Sequence, residues 1–420
     1  MKFLYILQNK NVKNGILYTV FSFINSGISF ILLLILAKYL TPGDYGSLNL
    51  FTTFVTLVNI IISLCTVSYV SICFFQKSKE QLNQVIVIAL VTTTIMLFIL
   101  SSILLAMPNY IEQIIGIPSK YLWLGLLICY FQVYNALNLD IWRLEEKPVQ
   151  YGLYGVSFAI CNFILTFWLI VGLHFNWAGR VYAWTLLSII YFIISVLFLF
   201  KRRYLSISKP QLSLVKETFI YALPLIPHTV SFWLKQGLDR YIINYFHNQT
   251  SVGFYSFALN LAAVITIIGT AFNSTNSVYI YKKLSNGSAA VRDGLNRQAT
   301  LMSVAFLIIS ILVGFCAYTL IKLFMNSYDE SIPYIIPLCL GSFFHCLYLL
   351  WVNYLFYYKK TQKLMFVTLS TALLQIIFSM ILTRYSILYT AYTSMVVSFI
   401  TLLLVYILSK KILNNEFEVK

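Results

Sequence analysis

The chain has 420 residues, 60% of them apolar and only 10% charged, with a formal net charge of +16 and a mean hydropathy of +0.82. A water-soluble globule of this composition would expose far more hydrocarbon than water tolerates, which leaves the bilayer as its solvent. The positive excess is spread along the chain instead of being gathered into one patch, so it argues against a nucleic-acid surface and serves as a record of membrane topology.

Apolar runs of about 20 residues, the length that crosses a hydrocarbon core as helix, recur with short breaks between them. Stretches such as Ile28 to Leu36 lack the apolar–polar alternation of a lipid-facing barrel. In chain order the runs place about twelve spans at 15–38, 44–73, 82–107, 120–141, 149–173, 179–200, 217–246, 251–281, 295–325, 332–358, 362–383 and 387–409. The basic segment Met1 to Lys13 leads into the first run without a small-residue cleavage signal, and that run is expected to remain as a span.

With the N-terminus inside, most of the 29 lysines and arginines fall on one side, among them Lys77, Lys79, Arg143, Lys147, Lys201, Arg202, Arg203, Lys282, Lys283, Lys359, Lys360, Lys410 and Lys411. The other side has only Lys38, Lys120, Arg180, Arg240, Lys322 and Arg384, while Lys235 stays within a span. This bias puts both termini in the cytoplasm and predicts a multi-pass protein of the inner membrane.

The basic connection from Lys201 to Lys216 has six spans on each side. It divides the chain into an N-lobe, 1–204, a linker, 205–216, and a C-lobe, 217–420. An even number of spans per half makes any repeat parallel, about an axis normal to the membrane. Weak similarity supports this: a tight turn and a glycine open the second helix of each half, as Asp44-Tyr45-Gly46 and as Ser251-Val252-Gly253.

The connecting loops are too short for an extramembrane catalytic lobe. The chain has no phosphate-binding glycine loop, paired-histidine zinc motif or nucleophile elbow, and is expected not to be an enzyme. Cys65, Cys73, Cys129, Cys161, Cys316, Cys339 and Cys346 lie inside apolar runs without metal-ligand spacing, so no metal, cofactor or disulfide is expected. Asn248-Gln249-Thr250 fits a glycosylation sequon, a short pattern of low specificity.

The seventh span holds the most informative cluster: Pro224, Pro227, His228, Lys235, Asp239 and Arg240. At 100° per residue His228, Lys235 and Asp239 fall within about 20° of one line on a continuous helix. A lysine inside a span is costly against lipid and usually faces a bundle interior or a water-filled cavity. The plainer alternative pairs Lys235 with Asp239 one turn on, or lets it snorkel outward. The two prolines remove backbone donors and are expected to break or bend the cytoplasmic half of this helix.

On the first helix Tyr18, Ser22, Asn25 and Ser29 make a polar stripe, and similar stripes run through Asn49, Thr53, Thr56 and Ser63, through Gln132 and Asn135, and through Thr266, Thr270, Asn273 and Ser277. Any one of these residues more often bonds helix to helix than binds a ligand. Their number argues for a hydrated interior. His345, between Ser342 and Tyr348, is of a residue type suited to proton relay, although a lone histidine is more often a packing residue. Asp140 and Arg143, beside Glu145, Glu146 and Lys147, mark either an entry for a polar head group or a solvated helix end.

Leu40-Thr-Pro-Gly-Asp-Tyr-Gly46, Tyr221-Ala-Leu-Pro-Leu-Ile-Pro227, Leu238-Asp-Arg-Tyr-Ile-Ile-Asn-Tyr-Phe246 and Val252-Gly-Phe-Tyr-Ser-Phe-Ala-Leu-Asn-Leu-Ala262 resemble the Wzx-type O-antigen and capsule flippases. These belong to the multidrug/oligosaccharidyl-lipid/polysaccharide exporter superfamily. The resemblance implies a MATE-like, all-α integral membrane protein with two parallel six-helix lobes. It further implies a cargo of undecaprenyl-pyrophosphate-linked oligosaccharide, and membrane lipids, a polysaccharide polymerase and the chain-length machinery as partners.

Matched residue by residue, Asp239 and Arg240 fall in the family's Asp-Arg segment, with Lys235 one turn before it. Related flippases for the peptidoglycan precursor carry arginines in the N-lobe cavity, where the matching helix here has neutral Ser22, Asn25 and Ser29. The expected roles are then pyrophosphate attraction by Lys235 and Arg240, sugar solvation by Ser22, Asn25 and Ser29, ion coupling by Asp239, His345 or His228, and cytoplasmic entry at Asp140 and Arg143. Two rival functions share features of the chain. A drug or cation antiporter of the same superfamily should favour acidic residues over the net positive cluster of span seven, and a glycan polymerase or ligase should have a large periplasmic loop.

Overall fold

The computed structural model describes residues 10–205, 210–285 and 289–418; residues 1–9 of the basic leader and 206–209 of the expected linker lie outside them. The described chain is helical throughout, in the order α1 (Lys10–Tyr39), α2 (Pro42–Ser63), α3 (Val67–Gln76), α4 (Lys79–Ala106), α5 (Pro108–Ile115), α6 (Ser119–Leu144), α7 (Pro148–Phe167) and α8 (Ala178–Lys201). There follow α9 (Leu212–Ala222), α10 (Leu225–Gln236), α11 (Leu238–Phe246), α12 (Gln249–Ser285), α13 (Ala289–Phe324), α14 (Ile332–Tyr357), α15 (Thr361–Leu382) and α16 (Ile387–Glu418).

Among the described residues, 11 helical segments are long and apolar enough to cross a membrane. The difference from twelve lies in the seventh segment, which is split into α9, α10 and α11. Pro224 and Pro227 each lack the N–H that a continuous helix would use, and Gly237 separates α10 from α11. The second span, expected to be continuous over 44–73, is also interrupted. Leu64 and Cys65 take φ values of 44° and 57°, and the chain re-enters helix at Val67. No proline or glycine marks this break, and a left-handed residue with a side chain costs about 1–2 kcal/mol.

The chain forms two compact units, one of Met1–Leu40 and Ser47–Val230, the other of Thr41–Gly46 and Ser231–Lys420. The start of α2 therefore belongs to the second unit and the start of α10 to the first. Two sets of contacts carry the repeat. Thr41 caps α2 by accepting from the Asp44 amide at 3.1 Å, and Asn248 caps α12 by accepting from Ser251 at 2.9 Å, so the sequon asparagine is a helix cap. Five residues beyond each cap, Gly46 and Gly253 cross backbone to backbone. A Cβ on Gly46 would stand 1.8 Å from the Gln249 carbonyl oxygen, and one on Gly253 would stand 1.9 Å from that of Pro42.

The second set is a shared register. α6 and α14 are both 26 residues long, and each turns into the next helix through the same pattern. Lys147 N–H donates to Trp142 O at 2.9 Å around left-handed Glu146, and Lys360 N–H donates to Leu355 O at 2.8 Å around left-handed Lys359. Counted from Pro148 and Thr361, α7 and α15 therefore run in step, with Ser157, Ala159, Asn162, Ile164 and Thr166 aligned to Ser370, Ala372, Gln375, Ile377 and Ser379.

Polar atoms inside each unit are tied together. In the first, Tyr154 Oη donates to one of Asn135 Oδ1 at 2.8 Å and Tyr191 O at 2.9 Å, next to Ser195 Oγ, which donates to Asn135 at 3.0 Å. At the end of α6, Glu145 forms ion pairs with Arg202 at 2.5 Å and Lys147 at 2.9 Å and accepts a hydrogen bond from Tyr204 at 2.6 Å.

Candidate functional site

The second unit holds an internal polar column built on α15. Thr368, Thr371, Gln375 and Ser379 follow steps of three, four and four, which puts them on one helix face, and all four are buried. This stripe is missing from the sequence reading. Its spacing is the signal that was there to find, inside a run otherwise as apolar as its neighbours.

Lys235, in the last turn of α10, extends its ammonium to Thr371 Oγ1 at 2.5 Å and Thr401 Oγ1 at 3.1 Å. Both hydroxyls give their own protons to helix carbonyls, Thr371 to Val367 at 2.9 Å and Thr401 to Val397 at 2.7 Å. Each thus turns a lone pair toward the ammonium. The pairing of Lys235 with Asp239, the plainer alternative, is absent: among the described residues no carboxylate is within ion-pair distance of Lys235.

Asp239, only 2% exposed, opens α11 on the far side of the Gly237 break. Its Oδ2 accepts from Gln375 Nε2 at 2.8 Å and Tyr255 Oη at 3.2 Å, and its Oδ1 accepts from Ser379 Oγ at 2.9 Å. Three neutral donors hold this carboxylate in place. Arg240 turns elsewhere, donating to Ser256 Oγ at 3.1 Å and to the Gln236 carbonyl at 2.7 Å. That carbonyl loses its helical partner where α10 stops, so Arg240 caps the break.

The remaining residues are dispersed. His228 and Lys235 share α10, whereas Asp239 follows the Gly237 break in α11, so the three do not lie on one continuous helix. His345, on α14, stacks on Tyr348 with ring centroids 5.5 Å apart. On α1, Tyr18 Oη reaches backbone carbonyls at the end of α6, Asn25 lies against Gly155 with its Oδ1 buried and without a hydrogen-bond partner, and Ser22 and Ser29 are exposed. Asp140 and Arg143 close on each other at 2.7 Å within one helix turn. Among the described residues no three His, Cys, Asp or Glu side chains come together as a metal site.

Residues 11–278 match the family of polysaccharide biosynthesis proteins. The chain belongs to that family. This polysaccharide biosynthesis protein is 25% identical over 409 residues to a protein of the Lsg locus of Haemophilus influenzae, an alignment covering 96% of the chain and 99% of its relative. Among solved structures it resembles the lipid II flippase MurJ in an inward closed conformation, with a TM-score of 0.74, 15% identity and coverage of 94% of this chain and 87% of that one. It also resembles an inward-facing multidrug resistance MATE family transporter of the MOP superfamily, with a TM-score of 0.71, 14% identity and coverage of 92% and 94%. At these identities the likeness establishes the fold: a multi-pass, all-α membrane protein of the MATE and MurJ type.

Proposed function

We propose that this protein is a flippase that moves undecaprenyl-pyrophosphate-linked oligosaccharide repeat units, of O-antigen or capsule, from the cytoplasmic to the periplasmic leaflet by alternating access. The observation that carries this reading is the combination of membership in the polysaccharide biosynthesis family with a fold shared with a lipid II flippase. Span surfaces fit a hydroxyl-rich cargo. Thr52, Thr56 and Thr270 are exposed and donate to carbonyls of their own helices, which leaves their oxygens turned outward as acceptors for sugar hydroxyls.

In this reading Lys235 attracts the pyrophosphate, because its charge is met by neutral hydroxyls and not cancelled by a carboxylate. Asp239, buried and held by neutral donors, is the ion-coupling group. Both termini and the basic helix ends face the cytoplasm.

The test is a deletion strain of the native host. Lipid-linked repeat units accumulating on the cytoplasmic leaflet, cleared by the wild-type gene, are the expected result. Normal surface glycan in the deletion strain overturns the reading, and so does accumulation on the periplasmic leaflet, which is the outcome expected of a polymerase or ligase.

A further inference from the structure

The shared register of α7 and α15 puts Asn162 level with Gln375 and Thr166 level with Ser379. In the second unit this amide and hydroxyl serve a buried acid, Asp239. In the first unit their counterparts serve a half-buried cation. Arg180 Nη1 donates to Asn162 Oδ1 and, at 3.1 Å, to Thr166 Oγ1, with Thr166 also 3.3 Å from Asn162 Oδ1. Asn162 is 5% exposed and Thr166 fully buried. The same pair of side-chain types, at the same helical positions, thus donates in one repeat and accepts in the other.

Nothing else favours a cation at this place. Arg180 stands in the first turn of α8, where the positive end of the helix dipole opposes it. Among the described residues no carboxylate is within ion-pair distance. Its support comes from the two α7 oxygens and from the face of Trp184, 5.3 Å from the guanidinium carbon. Remove the arginine and an oxygen-lined, aromatic-flanked hollow remains, shaped for a planar cation.

We propose that Arg180 is a tethered cation that permanently fills the first repeat's counterpart of the Asp239 cradle, so that ion exchange during turnover belongs to the second repeat alone. The assignment of ion exchange rests on the flippase reading, but the Arg180 site itself does not. A covalently held guanidinium cannot leave with each cycle, whereas a carboxylate held only by neutral donors can take up and release a proton. The two halves of a duplicated fold are thereby made unequal: one is locked in charge and the other can change it.

The site is tested by chemical rescue. Arg180→Ala, purified in detergent, is expected to melt at lower temperature than wild type, and low-millimolar guanidinium is expected to raise its Tm while leaving that of the wild type unchanged. Equal sodium chloride should rescue less, and the double variant Asn162→Ala/Arg180→Ala should not respond. No guanidinium-specific rise, or an equal rise in the double variant, overturns the tethered-cation assignment. If Arg180→Ala does not accumulate, Arg180→Met and Arg180→Lys take its place. A Met variant as stable as wild type overturns the proposal, and a Lys variant more stable than the Met variant supports it.

The exchange half is read separately, as glycan export. Asp239→Asn is expected to lose most export with the protein still in the membrane, and export at the wild-type rate would overturn exclusive exchange at Asp239. Failure of the flippase reading itself would show as unaltered lipid-linked glycan in the deletion strain, with guanidinium rescue intact.

Discussion

Lys235 and Asp239 are four residues apart, yet α15 holds them separately, the ammonium at Thr371 and the carboxylate at Gln375 and Ser379. Successive partners on that helix are about 6 Å apart along its axis, so the opposite charges are spaced out instead of collapsed into a pair. A hydrogen bond to a charged group contributes about 1.5–3 kcal/mol. Thr371→Val and Thr401→Val are each expected to destabilise the protein on that scale, and to cost much less when Lys235 is already Met. Unfolding free energies in a double-mutant cycle measure this, and strict additivity would detach the hydroxyls from the ammonium. A charge inside an apolar run is conspicuous in the sequence, which is why Lys235 and Asp239 stand out there. Hydroxyls and amides are ordinary in membrane helices. The stripe on α15 is readable from its spacing, but its pairing with Lys235 and Asp239, and the Arg180 cradle, emerge only from the fold.

Glu145 gives the same scale a pH dependence outside the membrane. Burial pushes its carboxyl up, but bonds from Arg202, Tyr204 and Lys147 outweigh that and hold it at about 2, against an ordinary 4.5. A carboxyl lowered by folding contributes stability above its unfolded value and loses it as pH falls through its folded value. Between pH 4.5 and about 2 the wild type should therefore lose thermal stability. Glu145→Gln should start lower at neutral pH and fall less steeply, and parallel curves would remove Glu145 from the acid response.

At the scale of elements, the crossing of α2 and α12 requires glycine on both sides. Gly253→Ala must displace the Pro42 carbonyl and Gly46→Ala that of Gln249, since a methyl group cannot stand about 2 Å from an oxygen. Gly294, in α13, has nothing within 4 Å of the equivalent point, and Gly294→Ala is expected to stabilise by about 0.5–1 kcal/mol through helix propensity. Melting temperatures of the three variants should split in sign, and tolerance of alanine at Gly46 and Gly253 would show the crossing to be loose. Most span boundaries are legible to within a few residues, because a long apolar run has one simple solution in a bilayer. The break at Leu64 and Cys65 is not, since it lacks the proline or glycine that announces the breaks in the seventh segment.

At the scale of the whole molecule, the charge bias predicts which ends face which solution. Single cysteines replacing Lys359 or Lys411, in a background without native cysteines, should react with a membrane-impermeant thiol reagent only in inside-out vesicles, and those replacing Lys120 or Lys322 only in intact cells opened at the outer membrane. The reverse pattern would invert the protein.

The three-piece seventh segment also bears on biogenesis. None of α9, α10 and α11 is long and apolar enough to count as a span, and they include Lys235 and Asp239, whose partners on α15 and α16, Thr371, Gln375, Ser379 and Thr401, are synthesised more than a hundred residues later. While the ribosome is still making α12 and α13, this stretch has no settled home in lipid and must wait at the insertion machinery or at the interface. Final seating of the segment is thus a late, post-insertion event, and a nascent chain ending before α15 should leave residues 231–246 open to proteolysis.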